Sequence, residues 1–122
     1  MKTVKFAAVI LIITLLAVIV NSVIIAKMID ETIEDIETIS NLNIDEKHAE
    51  YSRLYSSFKE KQKIISLTVN HTDMTVINES FAELIGATEA HDTEAVVTIE
   101  SRLVDALKHL KRLSGFNIDS IL

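Results

Sequence analysis

Cysteine and proline are absent from this chain of 122 residues, and glycine occurs only at Gly86 and Gly115. Without cysteine neither a disulfide framework nor a thiolate metal site can form, and cysteine usage leaves the redox compartment open. The scarcity of breakers favours long helices over turn-rich β architecture, so an all-α protein is expected. Acidic residues are missing from the first 27 positions, because all 18 Asp and Glu lie beyond Lys27. Residues 28–122 therefore carry nine Lys and Arg against 18 acids, a balance of −9. An acidic domain with no basic stripe in its sequence argues against nucleic-acid binding.

Charge of either sign is missing from Phe6 to Ala26, a run of 21 residues of which 14 are Val, Ile, Leu or Phe. As a helix this run is about 31 Å long, the hydrocarbon thickness of a bilayer. Its apolar side chains favour insertion by roughly 4 to 8 kcal/mol before Thr14, Asn21 and Ser22 subtract a little. A transmembrane anchor is expected. Lys2 and Lys5 sit on a very short amino-terminal tail, which favours the cytoplasm for that tail and places the acidic remainder outside. Residues 1–27 then form a cytoplasmic tip and anchor, and residues 28–122 an extracytoplasmic helical domain. A cleaved signal peptide is the alternative, with Val20 and Ser22 as small residues before a cut. The apolar run exceeds the usual signal core and continues as Val23, Ile24 and Ile25, so retention is expected.

Beyond the anchor the apolar spacing is helical throughout. Ile25, Ile29, Ile33 and Ile36 extend the first helix to about Ser40, with Asp30, Glu34 and Glu37 on another face. Ser40 to Asn43 reads as a connection, and Asn43 or Asp45 as the cap of a second helix whose seam is Tyr51, Leu54, Tyr55, Phe58, Ile65 and Val69. Lys59, Lys61 and Lys63 form a dense basic patch on it, read as a solvated flank. Asn70 to Asp73 reads as the second connection. A third helix runs from about Asp73 to Ala90 on Ile77, Phe81, Leu84, Ile85 and Thr88, with Gly86 suggesting a close helix crossing. Asp92 caps a fourth helix on Val96, Ile99, Leu103, Ala106, Leu107, Leu110 and Leu113, which Gly115 is expected to close. The apolar tail Phe116 to Leu122 is expected to fold back onto the core. Short connections between long helices predict an antiparallel bundle of about three further helices after the transmembrane one.

With these features the chain resembles an uncharacterised bacterial family, a domain of unknown function with one amino-terminal membrane helix and a helical remainder. The resemblance covers essentially the whole chain. It rests on the anchor, on Asp45 with Ala49 opening the second helix, on His71 followed by Asp73, and on the ending Asn117-Ile118-Asp119-Ser120-Ile121-Leu122. Where that family commonly has Trp in the second helix, Phe58 stands here. The resemblance implies architecture and location, and no activity.

Chemistry-bearing patterns are scarce. His48, His71, His91 and His109 are separated by 23, 20 and 18 residues, so none forms the pair four residues apart of a helical zinc site. A mixed site with Asp73 or Asp92 would need distant histidines brought together by the fold. No glycine-rich phosphate loop, Ser-His-Asp arrangement or paired-carboxylate cleft can be assigned, so no enzyme, catalytic residue, metal ligand or cofactor is expected. The leading reading is a membrane-tethered interaction module whose partners are the bilayer and another membrane or envelope protein. The alternative is an extracytoplasmic sensor of a metal or small ligand.

Overall fold

The scarcity of breakers is realised as four helices: α1 (Lys2–Ile39), α2 (Ile44–Ile65), α3 (His71–Glu89) and α4 (Thr93–Ile121). The structure is a computed structural model that describes residues 2–65 and 71–121, with the side chains of 64, 65 and 114–121 outside the description. α4 packs against α3 and α1, and α2 packs against the same two helices, so the four close into a ring around one core.

α1 changes character along its length. From Val4 to Ile24 its large apolar side chains are mostly exposed, whereas Ile25, Ile29, Ile33, Ile36 and Ile39 are buried in the core. The helix ends where the sequence places the first connection. Ser40 and Asn41 side chains donate to the Glu37 carbonyl at 2.6 and 3.1 Å, satisfying a carbonyl that the helix leaves open. Asn43, of the two candidates, caps α2: its Oδ1 accepts from the Glu46 amide at 2.9 Å. Asp92 caps α4 in the same way, accepting from the Ala95 amide at 3.2 Å.

The seams are close to those read from spacing. Tyr51, Leu54 and Phe58 of α2, Ile77, Phe81, Leu84 and Thr88 of α3, and Val96, Ile99, Leu103, Leu107 and Leu110 of α4 are buried. Met74 and Ser80 join them, while Tyr55, Ile85 and Ala106 are only half-buried. Leu113, expected in the seam, is exposed. The seams of Ile65 and Val69, and the second connection around Asn70, lie outside the described residues. His71 and Thr72, read as connection, open α3 instead.

Both glycine expectations are corrected. Gly86 is exposed, and a Cβ built there meets nothing within 4 Å, so no helix crosses closely at that point. Gly115 does not close α4, which runs through it to Ile121 without a positive-φ glycine among the described residues. A helical glycine costs only about 1 kcal/mol relative to alanine, too little to end a helix of this length. The tail therefore continues α4 in its backbone instead of turning back, and its side chains lie outside the description.

Open space at Gly86 yields a prediction. Gly86→Ala should stabilise the protein by about 0.5 to 1 kcal/mol, through lower unfolded-chain entropy without a clash. Thermal unfolding of the full chain in detergent, followed by circular dichroism, should show a higher midpoint; a lower one would mean that a neighbour occupies the site.

Candidate functional site

The helices meet in a buried polar layer near the end of the bundle that holds the connections 40–43 and 90–92. It starts from α2, where Lys47 and Tyr51 are four residues apart and so share one face. That face points inward, leaving Lys47 only 8% exposed and Tyr51 fully buried. Both reach across the ring to Glu100 of α4, itself 8% exposed. The Lys47 ammonium donates to Oε2 and Oε1 of Glu100 at 3.1 and 3.3 Å. The Tyr51 hydroxyl donates to Glu100 Oε2 as well, and lies 3.5 Å from the Ile36 carbonyl of α1. Beside this layer, the Thr88 hydroxyl donates to the Ile85 carbonyl at 2.7 Å, so His48 Nδ1, 3.1 Å away, must be the donor to it.

Electrostatically the layer is closed. The carboxylate is neutralised by Lys47 and hydrogen-bonded by Tyr51, which leaves no general base directed at a cleft. Burial, then the hydrogen bond to Glu100 and its negative charge, push the Tyr51 hydroxyl far above its ordinary range, so it stays protonated. Glu100 and the inward role of Lys47 have no signal in the apolar pattern. Only the four-residue spacing of Lys47 and Tyr51 hints at them.

The turn between α3 and α4 carries the second polar feature. His91 adopts φ 56°, a left-handed conformation uncommon outside glycine. Its amide donates to the Thr88 carbonyl at 3.2 Å and the Asp92 amide to the Ala87 carbonyl at 3.0 Å, the pair of bonds that closes a Schellman-type helix end. The ring is held at both nitrogens: Nε2 lies 2.9 Å from Asp45 Oδ1 and Nδ1 lies 3.1 Å from the Glu89 carbonyl. Two acceptors require two N–H donors, which only the imidazolium has. The hydrogen bonds to Asp45 and to the Glu89 carbonyl accordingly hold His91 above its ordinary pKa.

A raised folded pKa means that the His91 contribution is complete below the unfolded value of about 6.5 and is lost as pH rises through the folded one. Over that window the wild-type melting temperature should fall by a small amount that His91→Gln removes. Equal pH profiles for the two proteins would sink this assignment.

The remaining histidines are not gathered into a site. His71 and His109 are exposed, and no group of three His, Cys, Asp or Glu able to hold a metal occurs among the described residues. One groove of about 330 Å³ opens between α1 and α2, with Ile39 and Leu54 among its lining and Asp35, Glu50 and Arg53 also lining it. Arg53 is paired with Glu50 at 2.8 Å. No protein-family model matches the chain, and no curated protein or solved structure is significantly similar to it.

Proposed function

We propose that the chain is a single-pass membrane protein, in which α1 anchors an antiparallel four-helix bundle outside the cytoplasm and the bundle serves as a non-enzymatic docking module for another membrane or envelope protein. The observation that carries the anchor is the division within α1. Eleven large apolar side chains between Val4 and Ile24 are exposed, and the next half of the same helix supplies five buried isoleucines. Water would penalise that first surface by about 25 cal/mol per Å², whereas lipid would not. α1 passes by length and composition as a membrane span, and few residues of its apolar window are buried, unlike a soluble core helix.

Antiparallel packing is supported by the cross-links between elements. His91 of the α3–α4 turn reaches Asp45 at the start of α2. Tyr51 meets the Ile36 carbonyl near the end of α1, and Lys111 late in α4 meets Asp30 earlier in α1 at 2.8 Å. The Glu100 carboxylate is taken up by Lys47 and Tyr51 inside the bundle, which supports a structural role for that layer. The α1–α2 groove of about 330 Å³ favours a small-ligand sensor as the second reading, since it offers room for a compact ligand.

The protein should remain in the pellet when membranes are washed with alkaline carbonate, and protease added to intact cells stripped of wall should remove a carboxy-terminal tag. Release by carbonate or a mature amino terminus at Val23 would sink the anchor. A fully protected tag would sink the orientation.

A further inference from the structure

The bundle is electrically polarised along its length. At the level where α1 leaves its charge-free run lie Lys27 of α1, Lys59, Lys61 and Lys63 of α2, and Lys108, Lys111 and Arg112 of α4. Within the stretches 27–31, 59–63, 71–73 and 108–121 these seven cations face five carboxylates, a balance of +2, whereas residues 34–53 and 79–105 hold three cations and 13 carboxylates. Two measurements set the level. Lys111 Nζ is 2.8 Å from Asp30 Oδ1, which pins this part of α4 to α1 just beyond Lys27. Tyr51 is level with Ile36, and ten residues along each antiparallel helix, about 15 Å, bring Lys61 opposite Ala26.

Pairing follows the same division. Every cation of the far end is matched within the protein: Lys47 by Glu100, Arg53 by Glu50 and Arg102 by Glu83. Near the anchor, Lys111 is matched by Asp30 and Lys59 lies over the Tyr55 ring at 4.5 Å. Lys27, Lys61, Lys108 and Arg112, on three different helices, have no ion pair among the described residues, and all but Lys61 are exposed. A ring of unmatched cations around a helix entering lipid occurs where phosphate headgroups lie, and long basic side chains can reach them while their stems stay against the protein.

From this juxtaposition we infer that the anchor-proximal ring, Lys27, Lys61, Lys108 and Arg112, binds the phosphate headgroups of anionic lipids and seats the acidic bundle upright on the membrane. The inference rests on the anchored, antiparallel reading above. It deepens that reading by naming the lipid class and leaving the acidic far end for the protein partner.

The test uses the full chain reconstituted in phosphatidylcholine vesicles with trace spin-labelled phosphatidylglycerol or spin-labelled phosphatidylcholine. The motionally restricted fraction of each label reports its association with the protein. A basic residue near an anionic surface corresponds to about a fivefold change in association, so a several-fold preference for phosphatidylglycerol is expected. K27Q/K61Q/K108Q/R112Q should reduce the preference to about onefold, whereas R53Q/R102Q at the far end should retain it. Independently of any variant, raising salt to about 1 M should erase the wild-type preference, because the Debye length falls to about 3 Å. Inorganic phosphate at matched ionic strength should act no more strongly than chloride. A phosphate-specific loss would assign the ring to a free anion and overturn the lipid assignment. Equal association of both labels with the wild type, or an undiminished preference in the quadruple variant, would overturn the inference while leaving the anchor standing. The complete absence of restricted lipid of either kind would overturn both together.

Discussion

Replacing Glu100 alone with leucine should cost about 3 to 5 kcal/mol of folding stability, because it strands the Lys47 ammonium in the bundle interior without a counter-charge. Both side chains of this pair are only 10% exposed, so water cannot substitute for the missing partner. Lys47→Met should cost a similar amount for the converse reason. The double variant Lys47→Met with Glu100→Leu should recover most of that loss, since two buried charges and their desolvation disappear together. Tyr51→Phe should remove one charge-assisted hydrogen bond, worth about 1.5 to 3 kcal/mol. These values are large against the roughly 5 to 15 kcal/mol that holds a domain together. The measurement is a double-mutant cycle on the full chain in detergent. Additive single losses, or losses under about 1 kcal/mol, would mean that the layer is wet and weakly coupled.

Tyr51 also gives the layer a pH signature. The folded hydroxyl has a raised pKa while the unfolded one ionises near 10, so folding binds the proton more tightly. Stability linked to Tyr51 is therefore complete below about pH 10 and declines above it, and Tyr51→Phe should flatten that alkaline limb.

How much of this was legible in the sequence differs by physical cause. Apolar spacing reports which face of a helix avoids water, and it located Ile25, Ile29, Ile33 and Ile36, Phe81, and Val96, Ile99, Leu103, Leu107 and Leu110 of α4 correctly, while Leu113 at the end of that seam is exposed. Helix ends with a local chemical cause were also legible, as with Asn43 and Asp92. What spacing cannot report is a polar group made tolerable by a partner far along the chain. Lys47 and Glu100 are 53 residues apart, and each alone looks like a solvated charge. Glycine is a weak signal for a related reason: its permissiveness permits a turn or a close crossing without demanding either. At His91 the reverse holds, since a residue other than glycine takes the position where glycine is usual, and its ring is held at both nitrogens. The basic ring was visible only as the separate runs at 59–63 and 108–112. The antiparallel arrangement proposed above is what would bring those runs to one level beside Lys27.

Truncating Phe81 should have an effect as large as breaking the ion pair, with a different fingerprint. Phe81 is fully buried on α3, its ring centroid 5.0 Å from that of Tyr55 and 5.3 Å from that of Phe58, so it joins α3 to the aromatic cluster of α2. Phe81→Ala removes this payload and leaves a cavity lined by rings that cannot collapse freely, at a cost of about 3 to 5 kcal/mol. Phe81→Leu, closer in volume, should lose less than about 1.5 kcal/mol. Val97→Ala, at a position 63% exposed, should stay within about 0.5 kcal/mol of wild type. On the anchoring proposed above, membrane retention should be unaffected in all three variants, because the exposed apolar half of α1 is not part of the bundle core. Unfolding in detergent and carbonate washing of membranes read the two halves of α1 separately. If Phe81→Ala both melts early and washes off the membrane, the division of α1 into a lipid-facing half and a core-forming half is wrong.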